Sequence, residues 1–249
     1  MRYVQMIFSP TGGTAAAAAA VTGNWPNVET VDLSQMGSHS YCFSQEDLVL
    51  IAMPSFGGLA PQAALDRLAD TEGNSARCVL MAVYGNRAID DTLVQMEDAV
   101  EAKGFRVIAA ISAVAQHSML PQYATGRPDP QDAVQLKGFS EKILEKATAN
   151  ESSKPEFPGN RPYKKAGSGM VPKAGSACTA CGLCAQKCPI GAIDAQNPKL
   201  TDKSKCIGCM RCVSICPTHA RSINKVMAGV AAIALKKSCS GRKENILYI

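Results

Sequence analysis

The chain has 249 residues, 46% of them hydrophobic and 19% charged, which is the balance of a globular protein and excludes a disordered or collagen-like one. No apolar run reaches the roughly 20 residues that span a bilayer, and no charged, apolar and small-residue regions follow one another as in a secretion signal, so a cytoplasmic location is expected. The net charge of +5 hides a division: residues 1–150 hold 10 Lys/Arg and 16 Asp/Glu, whereas residues 151–249 hold 16 and 5. Opposite signs predict two parts that dock on each other.

Apolar, β-rich runs at Tyr3–Phe8, Val28–Val31, Leu48–Met53, Cys78–Tyr84 and Phe105–Val114 read as strands. Helix-like stretches at Thr14–Thr22, Gln62–Ala69, Asp90–Ala102 and Asp132–Ala149 follow or separate them. Near-continuous apolar strands joined by helices indicate an α/β fold, with a five-stranded parallel sheet wound on both faces over residues 1–149. Asp90 and Asp91 are expected to open the third helix. Residues 150–176, rich in Ser, Pro and Gly, read as a linker that Phe157 and Tyr163 can anchor to the first part. Residues 177–224 contain a repeat, and residues 225–249 are expected to hold a helix (its apolar run is Ile223–Lys237) and a basic tail. That tail lacks interleaved aromatics, and no nucleic-acid partner is expected.

Directly after the first strand comes Phe8-Ser9-Pro10-Thr11-Gly12-Gly13-Thr14, then a run of alanines. Glycines permit a tight turn, and a helix N-terminus favours an anion. The hydroxyls of Ser9, Thr11 and Thr14 add donors. The loop has no lysine, so it is not a Walker A loop, and it lacks the spacing of a dinucleotide fingerprint. Two further loops leave the same end of the sheet, where ligands of open α/β sheets sit. Pro54-Ser55-Phe56-Gly57-Gly58 follows the third strand and Tyr84-Gly85-Asn86-Arg87 the fourth. Each pairs an aromatic with glycine, so a flat ring could stack on Phe56 or Tyr84 while backbone at Gly57, Gly85 and Asn86 approaches its edge; core packing is the plainer role for both aromatics. Arg87 could face a negative charge there. His117, after the fifth strand, is expected to pack or cap rather than transfer protons.

Of eleven cysteines, eight lie between Cys178 and Cys216. They form C-x2-C-x2-C-x3-C-P twice, at Cys178, Cys181, Cys184 and Cys188, then at Cys206, Cys209, Cys212 and Cys216, offset by 28 residues. Soft thiolates select iron–sulfur clusters or zinc. A zinc ribbon needs only two CxxC pairs, which leaves half the cysteines unexplained. Cys42, Cys78 and Cys239 have no ligand spacing.

Residues 177–220 resemble a bacterial two-cluster ferredoxin, a small α+β unit. In that family the fourth cysteine of each run ligates the other cluster. The resemblance therefore implies one [4Fe–4S] cluster on Cys178, Cys181, Cys184 and Cys216, and another on Cys206, Cys209, Cys212 and Cys188. The loop Ser9–Thr14 resembles the FMN-phosphate loop of flavodoxins, which makes Ser9, Thr11, Gly12, Gly13 and Thr14 phosphate-loop candidates. Phe56, Gly57, Tyr84, Gly85, Asn86 and Arg87 become candidates beside the isoalloxazine. Taken together with VYGNRAIDDTL, AQHSM and PGNRPYKK, the chain resembles the flavodoxin–ferredoxin fusion proteins of anaerobic bacteria and archaea. What this implies is electron transfer between FMN and two clusters, with redox proteins or a small-molecule electron acceptor as partners. The alternative is a flavin-dependent reductase in which the clusters feed FMN.

Overall fold

Strands stay apolar on both faces only when both faces are covered, and the sheet meets that condition in a computed structural model that describes residues 1–37, 40–149, 151, 153–165, 167 and 169–249. In chain order the elements are β1 (Tyr3–Ile7), α1 (Gly13–Thr22), β2 (Glu29–Asp32), β3 (Tyr41–Cys42), β4 (Leu48–Pro54), α2 (Gln62–Asp66), β5 (Thr71–Glu72), β6 (Arg77–Tyr84), α3 (Thr92–Glu101), β7 (Arg106–Val114) and α4 (Pro130–Thr148). Then come β8 (Lys173–Ala174), α5 (Leu183–Gln186), α6 (Arg211–Ser214), β9 (Arg221–Ser222), α7 (Lys225–Cys239) and β10 (Ile246–Tyr248). The main sheet runs β10-β7-β6-β4-β1-β2. Its five N-terminal strands are parallel and follow the doubly wound order 2-1-3-4-5, counted along this sheet, which is the flavodoxin-like arrangement.

Every residue of β4 and β6 is buried. Val49, Ile51 and Met53 alternate with Leu48, Leu50 and Ala52, feeding two cores. One core takes Ala64 of α2 and Leu93, Met96 and Val100 of α3. The other takes Ala17, Ala18 and Val21 of α1 and Leu136, Ile143 and Ala147 of α4. The alanines of α1 keep that helix close to the sheet, and a Cβ on Gly13 would lie 3.0 Å from the Ala115 Cβ. The helix therefore starts hard against the end of β7.

The sixth strand departs from the five-stranded expectation: part of the tail enters the sheet. Ile246–Tyr248 pairs antiparallel with β7. An open β7 edge would leave backbone donors and acceptors without partners, and this short strand takes them. Asn245 locks it: its Oδ1 accepts from the Val114 N–H at 2.9 Å, and its Nδ2 donates to Asp132 at 3.0 Å and Gln135 at 2.8 Å. Asp132 also completes a capping box with Asp129 at the start of α4, behind Pro130.

Asp90 and Asp91 also depart from the expectation. Neither side chain caps α3. Asp91 instead accepts from the N–H groups of Asn160 (2.9 Å) and Lys164 (2.7 Å), and Asp90 pairs with Arg87 and Lys164. Arg161 adds pairs to Glu97 and Asp98, so residues 153–165 form a strap along α3. Phe157 of the strap packs on the core, against Tyr248. Residues 150, 152, 166 and 168 of the expected linker lie outside the described residues. Among those described, no helix is long and apolar enough to cross a membrane.

Candidate functional site

The carboxyl ends of β1, β4, β6 and β7 open into a cleft of about 290 Å3. Eight sequence candidates line it: Thr11, Gly13, Thr14, Phe56, Gly57, Tyr84, Gly85 and Arg87. Gly12 starts α1 with a left-handed φ of 93°, a conformation glycine adopts at little cost. The N–H groups of Gly12, Gly13 and Thr14 find no acceptor among the described residues. They are the orphan donors of a helix start, open to an anion. Phe56 and Tyr84 both touch the core while lining the cleft, so packing and ligand-facing roles coincide.

Three candidates do not reach the cleft. The Ser9 Oγ turns inward to accept from the Ala15 N–H at 2.9 Å, and Gly12 lies on the outer side of the turn. Asn86 is buried, and its amide donates to the carbonyls of Cys239 (2.6 Å) and Gly241 (2.8 Å). It ties down the end of α7. A short polar side chain after a strand gives no hint of a partner more than 150 residues away.

The cleft also has walls beyond those eight candidates, of which the sequence singles out only His117. His117 and Met119 follow β7, Gly169 and Met170 come from the linker, and Ala231 and Leu235 from α7. Only position after a strand end could have signalled the first two. The His117 Nδ1 accepts from the N–H groups of Met119 (3.2 Å) and Leu120 (3.3 Å). Burial, then the Arg87 charge, holds its pKa below the ordinary value, so at neutral pH it is uncharged. Gly85 passes so near that a Cβ there would sit 2.7 Å from the His117 Cβ.

The eight repeat cysteines surround two cavities. Cys178, Cys181, Cys184 and Cys216 line one, and Cys188, Cys206, Cys209 and Cys212 line the other. These are the groups into which the ferredoxin resemblance sorts them. The repeat extends to the backbone: the Ala192 N–H donates to the Cys188 Sγ and the Ala220 N–H to the Cys216 Sγ, each at 3.3 Å. Such N–H···S bonds stabilise charge on a ligating sulfur. Among the described residues no three His, Cys, Asp or Glu side chains are placed to hold a single metal ion. Each quartet lines a cavity of its own. Burial pushes the Cys209 thiol up to about 12 and the Cys212 thiol to about 11. These thiols keep their protons until a metal displaces them. The donor set thus fits a cluster at each cavity, and the unpaired N–H groups beside two aromatics fit a phosphate-bearing flat ring in the cleft.

The two kinds of site adjoin. Ile207 and Gly208, the pair between Cys206 and Cys209, form part of the cleft wall. Gly208 lies against Gly169, where a Cβ on either would meet the other's Cα within 3.2 Å.

The 4Fe-4S binding domain family matches residues 175–194 and 200–222. No curated protein matches the chain. Among solved structures, a flavodoxin from the domain Archaea is similar at 13% identity, covering 59% of this chain and 99% of its own, with a TM-score of 0.43. Flavodoxin 1 from Bacillus cereus is similar at 12% identity, covering 58% and 98%, with a TM-score of 0.42. An NADPH-quinone reductase from P. pentosaceus gives 12% identity, 57% and 97%, and a TM-score of 0.38.

Proposed function

We propose that this protein transfers electrons between two [4Fe–4S] clusters and FMN, coupling one-electron to two-electron steps. The observation that carries this reading is the wall shared by Ile207 and Gly208: the loop between two cluster-ligand candidates is also the side of the cleft. When bound, a cluster supplies one-electron exchange and a flavin exchanges one electron or two, chemistry that belongs to the cofactors.

The chain's part is to hold, space and shield them. Gly13 and Thr14 offer unpaired N–H groups to a phosphate, while Phe56 and Tyr84 offer apolar faces to a ring. The linker residues Gly169 and Met170, with Ala231 and Leu235 of α7, line the cleft. The Cys188–Cys206–Cys209–Cys212 site lies next to the cleft, and the Cys178–Cys181–Cys184–Cys216 site stands behind it as an entry point, with Cys181 exposed. A redox protein or a small electron acceptor is the partner class.

Anaerobic purification with iron, sulfide and flavin counts tests this. About eight irons, eight sulfides and one FMN per chain are expected. Eight irons with no flavin taken up on reconstitution would overturn the flavin half of the proposal. In the loaded protein, Cys206→Ser is expected to slow flavin reduction by dithionite-reduced clusters at least tenfold while flavin content stays unchanged.

A further inference from the structure

Among the positions at which the two halves of the cysteine repeat differ in charge, two place an arginine in the second half where the first has an apolar residue. At the offset of 28 residues, Leu183 is matched by Arg211 and Ile193 by Arg221. Ile193 is buried, as an apolar residue there should be. Arg221 is buried too, at 2% exposure. Its Nη1 donates to the Thr201 Oγ1 at 3.1 Å and lies 4.0 Å from the Cys212 Sγ, and its Nη2 donates to the Pro198 carbonyl. Its Nε is buried without a partner, as are the Nε and Nη1 of Arg211. Arg211 lines the Cys188–Cys206–Cys209–Cys212 cavity. Arg221 lines the other cavity while touching Cys212, so it stands between the two.

Among the described residues, neither arginine has a carboxylate within ion-pair distance. The ion pairs of the cysteine-rich segment run between Lys205 and Asp202 instead. A guanidinium buried without a counter-charge is costly, and side chains that stay so placed point to an anion in reach. The anions available are the ligand sets themselves. A [4Fe–4S] cluster with four thiolates carries about −2 when oxidised and −3 after taking up one electron, with no proton required.

We propose that Arg211 and Arg221 are built-in counter-cations of the clusters, Arg221 shared between the two sites and Arg211 confined to the Cys188–Cys206–Cys209–Cys212 site, and that this surplus makes that cluster the higher-potential one. An electron delivered to the outer site then settles beside the cleft. Burial acts the other way, because added charge is harder to hold where water is excluded, and Cys188 and Cys209 are buried whereas Cys181 is exposed. Arg211 in the cavity wall, with Arg221 at 4.0 Å from the Cys212 Sγ, outweighs that burial, since the attraction acts in the same low-dielectric surroundings. This inference rests on the two-cluster reading and is independent of the flavin.

The test is a redox titration of the full-length, cluster-loaded protein with dithionite, followed by electron paramagnetic resonance. Cys178→Ser and Cys206→Ser assign the two signals. In the wild type the signal perturbed by Cys206→Ser is expected to be reduced first. Arg211→Leu and Arg221→Ile, the residues of the first repeat, are expected to cut the reduced-to-oxidised ratio of that cluster at fixed potential at least tenfold. For a one-electron couple this is a fall of about 59 mV. Arg211→Lys and Arg221→Lys are expected to keep most of the wild-type value.

Arg221 also holds backbone in place, so Arg221→Ile can fail to load. Arg211→Leu, which loses no hydrogen bond through Nε or Nη1, then decides alone. Unshifted midpoints in a variant with its full iron and sulfide, or a wild type whose outer cluster is reduced first, would overturn the proposal and leave the electron-transfer reading standing. A wild-type chain that binds no iron would overturn both. A chain with clusters and no flavin would overturn only the flavin reading.

Discussion

His117 shows how one side chain records its surroundings. Nδ1 can accept from two N–H groups only while the ring is neutral with its proton on Nε2. Burial and Arg87 lower its pKa from the ordinary 6.5, so the unfolded chain binds the proton at higher pH than the folded one. Its contribution to stability is therefore complete above about pH 6.5 and is lost as the pH falls through the lower folded value. The urea midpoint of the wild type is expected to drop more steeply from pH 7.5 to pH 5.5 than that of His117→Gln. Parallel profiles would show that the ring titrates normally. His117 was legible as a residue near the site, but its protonation state was not, because that depends on N–H groups aimed at it by a loop the sequence leaves unshaped.

The segments that hold the site together have the composition of connectors. The strap at residues 153–165 and β10 both come from stretches whose composition suggests linker and tail. Their ordering comes from partners on distant elements: Asp91, Glu97 and Asp98 for the strap, and the open edge of β7 with Asp132 for the last strand. Asp132 is fully buried. It receives Arg127 Nε at 2.8 Å, Arg242 at 3.2 Å and Asn245 at 3.0 Å. Removing its carboxylate would leave the buried Arg127 without a counter-charge, a loss of about 3–5 kcal/mol for pairs of this kind. Asp132→Ala is thus expected to lower unfolding free energy by about that much in urea melts. It should also speed amide exchange at β10 before the rest of the sheet. A loss below about 1 kcal/mol would mean the network is no stronger than a surface pair.

Charge division, visible in composition, reappears in the ion pairs that join the two parts. Those found between residues 1–149 and 151–249 take the acid from the first and the base from the second, as in Lys154–Glu101, Arg161–Asp98, Lys164–Asp90 and Arg242–Asp129. They are made by the strap and the tail rather than by the cysteine repeat. Most are partly exposed, and such pairs contribute about 0–1 kcal/mol each. Backbone pairing of β10, the Asn86 bonds to the end of α7, and the Tyr123 hydroxyl on the Ala232 carbonyl at 2.5 Å are not screened in that way. Small-angle scattering is therefore expected to give one compact particle with the same radius of gyration at about 0.15 M and 0.5 M salt, although the Debye length is much shortened. Two separating lobes at the higher salt would show that the exposed charges carry the docking.

By itself the sequence determined whatever is written in local order. The parallel strands follow from continuous apolar runs, because a strand covered on both faces can hold no polar face. The repeat follows from cysteine spacing, because thiolates with only two residues between them must share a loop. The phosphate-loop candidate follows from glycines and hydroxyls between a strand and an alanine helix. Tertiary structure decided what depends on residues far apart in the chain. It turned Ser9 and Asn86 inward to satisfy buried donors and acceptors, took the last residues into the sheet to close an edge, and laid Gly208 against Gly169 so that a cysteine loop became a wall of the cleft. Hydrogen bonds and packing act across space, and no spacing rule along the chain carries that information.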